Sequence, residues 1–286
     1  GGGGSDFMDN DVDAYLNIAE THARFGTTAM LPTTLTSEQD LLLETFEVYA
    51  KSLDKNEKGA RFYGLHLEGP YFAMEQRGAQ DPRYIRDPKP EEYEPILSKY
   101  KHLIARWSAA PELPGALSFG KRVCEEGILL ALAHTDAVYD EVVKGVEAGY
   151  KLATHLYSGM SGMTRRNAYR YAGAIESCLL IDDIDVEIIA DGTHLPEPFL
   201  KLITKVKAKN QIILITDAMR AAGTDVTESI LGSKENGLAV VVEDGVAKLP
   251  DRKSFAGSVA TADRLIRTMT KMAGLELKDA VHMLTV

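Results

Sequence analysis

The chain has 286 residues, 45% hydrophobic and 26% charged, with 24 Gly and 11 Pro, a globular composition sized for one large domain or two small ones. Lys plus Arg number 32 against 42 Asp plus Glu, and a net charge of −10 argues against binding nucleic acid or anionic membrane through the overall field. Apolar runs such as Ile128-Leu129-Leu130-Ala131-Leu132-Ala133 are too short to span a bilayer, and no basic-then-apolar leader is visible.

The sequence opens on Gly1-Gly2-Gly3-Gly4 with no Met and no preceding strand, which reads as a linker scar or as a start partway through a protein. Seven short apolar runs follow, at 26–32, 62–67, 103–108, 128–133, 152–156, 186–190 and 212–216. Each is of strand length and most are apolar on consecutive residues, the pattern of strands covered on both faces in a parallel sheet. Amphipathic stretches lie between them, among them 37–53, 139–149 and 198–209. In the middle one Val142, Val143 and Val146 form an apolar face and Gly149 stands as a helix stop. This alternation predicts an α/β fold. Past the seventh run, 238–249 reads as a hairpin turning at Asp244-Gly245, and helices are expected from Thr261 and from near Leu277. Cys124 and Cys178 each sit in or beside an apolar segment and read as two buried thiols in a reducing compartment, so the expected location is cytoplasmic.

Seven strands are one short of a (β/α)8 TIM-type barrel. An open doubly wound sheet is the alternative, but no G-x-G-x-x-G follows a strand. The favoured reading is a barrel domain over 1–286, truncated at its N-terminus, incomplete at both ends and exposing two sheet edges. Polar residues stand at several strand ends, namely Glu68, His134, His155, Asp191 and Asp217, with His194 just beyond Asp191. In barrels, catalytic groups come from that face. Neutral imidazoles and a carboxylate converging there suit Zn²⁺ or a similar divalent ion with one position open, and Asp217 is placed to move a proton in metal-assisted hydrolysis. Singly, each group has a structural explanation: a satisfied histidine, a Glu68–Arg pair across the barrel, or Asp217 capping a helix. Five on one side of successive strands favour a metal site. His22, His102 and His282 are read as structural.

The string His66-Leu67-Glu68-Gly69-Pro70 resembles the signature of the N-acetylglucosamine-6-phosphate deacetylase family within the amidohydrolases. Five further blocks follow in the family's order: Ala133-His134-Thr135-Asp136-Ala137, Thr154-His155-Leu156-Tyr157, Ala190-Asp191-Gly192-Thr193-His194, Thr216-Asp217-Ala218 and Ala256-Gly257-Ser258. The resemblance implies that Glu68, His134 and His155 hold the metal, most simply Zn²⁺ with Fe²⁺ or another divalent ion as alternatives. It implies that Asp217 is the catalytic carboxylate, and that the substrate is an amino-sugar phosphate losing acetate. Gln80, twelve residues past Glu68, stands where many members place a His; a neutral amide can donate a hydrogen bond but not titrate. Arg166, eleven residues past His155, matches the Arg that holds the phosphate, and its planar fork suits that task, although Arg165 and Arg170 nearby also allow a solvated basic loop. His194 matches a substrate contact. Ser158-Gly159 replaces the usual Asn-Ala, which removes an amide near the phosphate. The family implies a homodimer in which Arg166 serves the neighbouring subunit. It also implies a H-x-H pair before the glycine run and a small β-sandwich built from both termini, neither of which is in this sequence. Alternatives are another amidohydrolase acting on a cyclic amide or nucleobase, and a sugar-phosphate binder without turnover.

Overall fold

Six of the seven expected runs supply strands of one seven-stranded parallel sheet, made of β1 (Thr33–Thr34), β2 (Leu65–Glu68), β3 (Ile104–Ala109), β4 (Leu129–Leu132), β5 (Tyr150–Ala153), β6 (Asp185–Ile189) and β7 (Ile212–Ile215). They lie side by side in strict chain order. The computed structural model describes residues 1–285; Val286, the last residue of the expected domain, lies outside the described residues. Helices alternate with the strands: α1 (Val12–Arg24), α2 (Gln39–Leu53), α3 (Pro90–Tyr100), α4 (Ala116–Glu125), α5 (Tyr139–Glu147), α6 (Ala174–Leu180), α7 (Glu197–Val206), α8 (Ala262–Lys271) and α9 (Leu277–Thr285). None of the described helices is long and apolar enough to cross a membrane.

The sheet is strongly curled. Three strand spacings would separate β3 from β6 by roughly 14 Å if the sheet were flat, yet the Arg106 guanidinium of β3 pairs with Glu187 of β6. Curling sorts each strand into two faces. Leu65 and Leu67, Trp107, and Val186 and Ile188 point outward into the helical layer, where Trp107 meets Phe119 of α4 edge-on at 5.0 Å. Such an aromatic pair adds about 0.5–1.5 kcal/mol beyond its burial. The inner face carries His66, Glu68, Arg106, Ser108 and Glu187, all buried. A truncated (β/α)8 barrel describes this architecture. Its outer strands β1 and β7 do not pair, and a cavity of about 470 Å³ lies between them.

Several boundaries differ from the sequence reading. The run at 26–32 does not enter the sheet; Ala29–Met30 pairs with Arg61–Phe62 in a separate two-stranded ladder, and Thr33 opens β1. Pro32, which has no N–H for a ladder, separates the two. The fifth strand ends at Ala153, before His155, whose left-handed backbone (φ 36°) breaks the ladder. Two strand groups were unforeseen. An exposed hairpin pairs Thr164–Arg166 with Tyr169–Tyr171. Its turn residues Asn167 and Ala168 both have positive φ, as a tight hairpin requires, but Asn-Ala lacks the glycine that signals such a turn. The expected hairpin, β9 (Leu238–Glu243) with β10 (Val246–Lys248), gains a third strand, β8 (Glu228–Leu231). Cys178 is buried as expected, but Cys124 is exposed. It is one helical step of 100° past Val123, which takes the buried face of α4.

Candidate active site

The strand ends repeat one local device. His134, His155 and Asp217 each lie two residues beyond the last residue of β4, β5 and β7, and all three are left-handed, at φ 45°, 36° and 46°. Glu68 ends β2 and is followed by Gly69 at φ 93°; Asp191 lies two residues beyond β6 and is followed by Gly192 at φ 83°. A left-handed non-glycine residue costs roughly 1–2 kcal/mol, and three in one site mark strain concentrated at a functional position. Each sharp turn leaves a polar side chain over the open end of the curled sheet.

Glu68, His134 and His155 converge there. His134 Nε2 lies 3.1 Å and His155 Nε2 2.8 Å from the same oxygen, Glu68 Oε1, and all three groups are buried. Their candidate ligand atoms lie within 4.8 Å of one another. On its far side His134 Nδ1 is 2.8 Å from the carbonyl of Gln76. A carbonyl only accepts, so Nδ1 carries a hydrogen, and Nε2 faces the carboxylate either as the donor of a second ring hydrogen or with a lone pair. That arrangement calls for a cation or a proton between them, and it fits a divalent metal with a His₂Glu donor set. Burial alone would push the Glu68 carboxyl up, but the hydrogen bonds of His134 and His155 hold it well below the usual carboxylate range. The His155 imidazole loses stability as a cation through burial, yet Glu68 reverses this and lifts it to about 9. Burial, and then the charge of Glu68, push Asp217 up to about 6, against the pull of His155 and His194.

These residues line a cavity of about 350 Å³ together with Gln80, Ser158, Gly159 and His194. Gln80 is buried, and its Oε1 accepts the Thr36 N–H at 2.9 Å, which turns its NH₂ away from Thr36. Gly159, at φ 59°, must remain glycine: a Cβ there would lie 2.6 Å from His134 Nδ1 and 2.8 Å from the Gln76 carbonyl. His194 Nδ1 is 2.7 Å from Asp191 Oδ2. Burial works against the Asp191 carboxylate, but the His194 hydrogen bond and charge, together with the backbone N–H groups of Thr193 and His194, lower its pKa. Arg166 does not line this cavity. It sits exposed on the 164–171 hairpin, over the Tyr171 ring at 5.2 Å, and faces a separate cleft with Arg86, Glu112 and Asp136. Among the described residues, no Lys or Arg lines this metal-ligand cavity. Sequence reasoning did not anticipate the Asp191–His194 pair, although the Asp-x-x-His spacing is a usable signal, nor Phe255, whose ring packs 4.5 Å from that of His194.

No family model matches the chain. Over 262 residues it is 32% identical to the N-acetylglucosamine-6-phosphate deacetylase of Lysinibacillus sphaericus, covering 90% of this chain and 64% of that protein. Over 283 residues it is 30% identical to the N-acetylgalactosamine-6-phosphate deacetylase of Escherichia coli O157:H7, covering 99% of this chain and 72% of the relative. The chain therefore spans about two-thirds of the length of these curated relatives. Among solved structures, an aspartate-to-alanine variant of Mycobacterium smegmatis N-acetyl-D-glucosamine-6-phosphate deacetylase, in complex with N-acetyl-D-glucosamine 6-phosphate, superposes with a TM-score of 0.89 at 29% identity, over 99% of this chain and 71% of that one. The Thermotoga maritima N-acetylglucosamine-6-phosphate deacetylase superposes with a TM-score of 0.86 at 29% identity, over 98% of this chain and 72% of that one.

Proposed function

Because the chain belongs to the N-acetylglucosamine-6-phosphate deacetylase family, we propose that it hydrolyses the acetamide of N-acetylglucosamine 6-phosphate to glucosamine 6-phosphate and acetate. The observation that carries this reading is the meeting of two imidazole nitrogens at one oxygen of Glu68, in a cavity that also holds Asp217.

Glu68, His134 and His155 would hold the divalent ion, with Zn²⁺ the simplest match to two imidazoles, one carboxylate and an open position, and Fe²⁺ compatible with the same donors. When bound, such an ion supplies Lewis acidity to the acetamide carbonyl and to water. Asp217 takes the proton of the attacking water as its oxygen bonds to the carbonyl carbon. It then gives that proton to the nitrogen as the C–N bond breaks. In the metal-free site burial and Glu68 already raise this carboxyl to about 6, which makes it a better proton acceptor than a free aspartate. The Gln80 NH₂, held by the Thr36 N–H on its other end, donates to the acetamide oxygen without titrating.

The phosphate must find its countercharge outside the cavity, since among the described residues no Lys or Arg lines it. The exposed Arg166 supports a homodimer in which the hairpin of one copy serves the other. The unbridged state of Cys124 and Cys178 supports a reducing, cytoplasmic location.

The deciding experiment measures acetate released by Zn²⁺-loaded protein from N-acetylglucosamine 6-phosphate, its galactosamine counterpart and the unphosphorylated sugars. Release is expected from phosphorylated sugars in strong preference. Arg166→Ala should raise KM for them by about 10–100-fold, the worth of a charge-assisted phosphate bond, while barely affecting the plain sugars. No acetate from any sugar, with folded and loaded protein, would overturn the reading.

Metal loading has its own signature. At pH 7 the metal-free site holds a proton on His155, whose pKa is about 9, and that proton must leave for its nitrogen to bind a metal. Calorimetry in buffers of different ionisation enthalpy should therefore record release of about one proton per ion, and affinity should rise about tenfold per pH unit toward pH 9. A pH-independent affinity would remove His155 from the ligand set.

A further inference from the structure

We infer that Asp191 is a positioning residue that fixes the tautomer of His194, so that His194 Nε2 meets the bound sugar phosphate as a hydrogen-bond acceptor for one of its hydroxyls. The choice of ligand rests on the reaction proposed above.

The turn after β6 is built around the Asp191 carboxylate. Its Oδ1 accepts the backbone N–H groups of Thr193 and His194, each at 2.8 Å, and its Oδ2 faces His194 Nδ1 at 2.7 Å. The Asp191 side chain is fully buried and that of His194 nearly so. A carboxylate already accepting two N–H bonds has no hydrogen to give, so Nδ1–H is the donor, and in the neutral imidazole the lone pair falls on Nε2. The same turn is tied from behind. Arg264 of α8 grips the Asp191 carbonyl with Nε at 3.1 Å and Nη2 at 2.8 Å, while its Nη1 holds the Gly245 carbonyl in the β9–β10 turn at 2.8 Å. Phe255 packs beside the imidazole, ring centroids 4.5 Å apart and planes inclined by 46°. The ring thus has one orientation and one tautomer.

A sugar presents several hydroxyl donors, and the two carboxylates at the ligand cluster are committed elsewhere. Glu68 is engaged by two histidines, and Asp217 is reserved for the proton transfer. His194 lines the cavity, and among the described residues its Nε2 has no hydrogen-bond partner. An acceptor there selects for a hydroxyl, because a buried acceptor left unpaired costs binding energy.

Asp191→Asn separates this from a merely structural role. The Asn Oδ1 can keep both backbone N–H bonds, but its NH₂ faces Nδ1, which must then accept, and the ring hydrogen moves to Nε2. Two measurements read the outcome. The ¹⁵N shifts of the His194 ring, identified by its loss in His194→Ala, report the tautomer without any ligand. Calorimetry in the Zn²⁺-loaded Asp217→Asn background reports Kd for N-acetylglucosamine 6-phosphate. We expect Nδ1–H in the parent and Nε2–H with Asp191→Asn. Kd should rise about tenfold for Asp191→Asn, by a similar factor for His194→Ala, and no further in the double variant. An Nε2–H parent ring overturns the inference, as does an unchanged Kd or a double variant whose losses multiply to about a hundredfold. If Asp191→Asn fails to fold, the parent ring shifts and His194→Ala alone still decide. Absence of binding in the background protein would sink the sugar-phosphate reading, with the tautomer measurement judging the Asp191–His194 pair separately.

Discussion

Asp217→Asn should lower kcat by about 10²–10⁴, the range for losing a positioned general acid–base, while the metal-ligand set and the sugar contacts stay intact. Asn is isosteric and can still accept a hydrogen bond, but it cannot hold the proton between its departure from water and its delivery to nitrogen. KM is therefore expected to change little. Stability should move the other way. In metal-free protein the Asp217 carboxyl titrates near 6 instead of its ordinary 3.8, chiefly because burial and Glu68 disfavour its charge. A folded-state pKa above the unfolded one means that the native state prefers the protonated form. The penalty is absent below the unfolded pKa, grows as pH rises through that window, and is complete above the folded pKa. Asn carries no charge and escapes it. Asp217→Asn should thus stabilise chelator-treated protein by about 3 kcal/mol at pH 8, a gain of several degrees in Tm, and by almost nothing at pH 4. Thermal scans at the two pH values, beside steady-state kinetics, test both halves. Near-wild-type kcat in Asp217→Asn would end the acid–base assignment.

Arg106→Met should reduce the unfolding free energy by about 3–5 kcal/mol, the cost of leaving one member of a buried ion pair alone. Arg106 and Glu187 face each other across the inside of the curl and are both buried. Arg106 Nη2 also donates to His66 Nδ1 at 2.8 Å, which obliges His66 Nε2 to donate to Ser108 Oγ at 2.7 Å, and Ser108 in turn bonds Thr154 Oγ1 at 2.9 Å. Burial and the Arg106 charge keep the His66 imidazole neutral, well below its ordinary range. The chain of bonds runs outward from Arg106, and removing its origin leaves the buried Glu187 carboxyl without its cationic partner. Glu187→Leu alone should be similarly harmful. The double variant Arg106→Met/Glu187→Leu should recover most of the loss, since matched apolar replacement of a buried pair is often neutral. Urea unfolding of the four proteins measures this; a single-variant cost below about 1 kcal/mol would show the pair to be dispensable.

Much of the site could be read from local pattern. Strand runs, helix stripes and the hairpin at Asp244-Gly245 are written in spacings of two to four residues, and a polar residue closing an apolar run marks a strand end wherever the strand goes. That is why Glu68, His134, His155 and Asp217 stood out before any fold was known. Errors arose where a single residue overrode the pattern, as Pro32 did in moving the first strand and the left-handed His155 did in ending the fifth. The exposed Arg-rich hairpin was invisible because neither of its strands buries a face, so no alternation was needed.

Which strand ends meet was not written locally. Glu68 and His155 are 87 positions apart and share a hydrogen bond only because parallel strands laid in chain order twist and curl into an arc. The same curl gathers the charged residues of alternating positions onto one inner face, so runs that look uniformly apolar conceal Arg106 and Glu187. Arg166 lies away from the cavity that holds Glu68 and Asp217. Side-chain period and turn chemistry are properties of neighbouring residues and survive in the sequence. Distance across the barrel, and hence the metal-ligand cluster and the Asp191–His194 pair beside it, follows from how the packed outer layer bends the sheet as a whole.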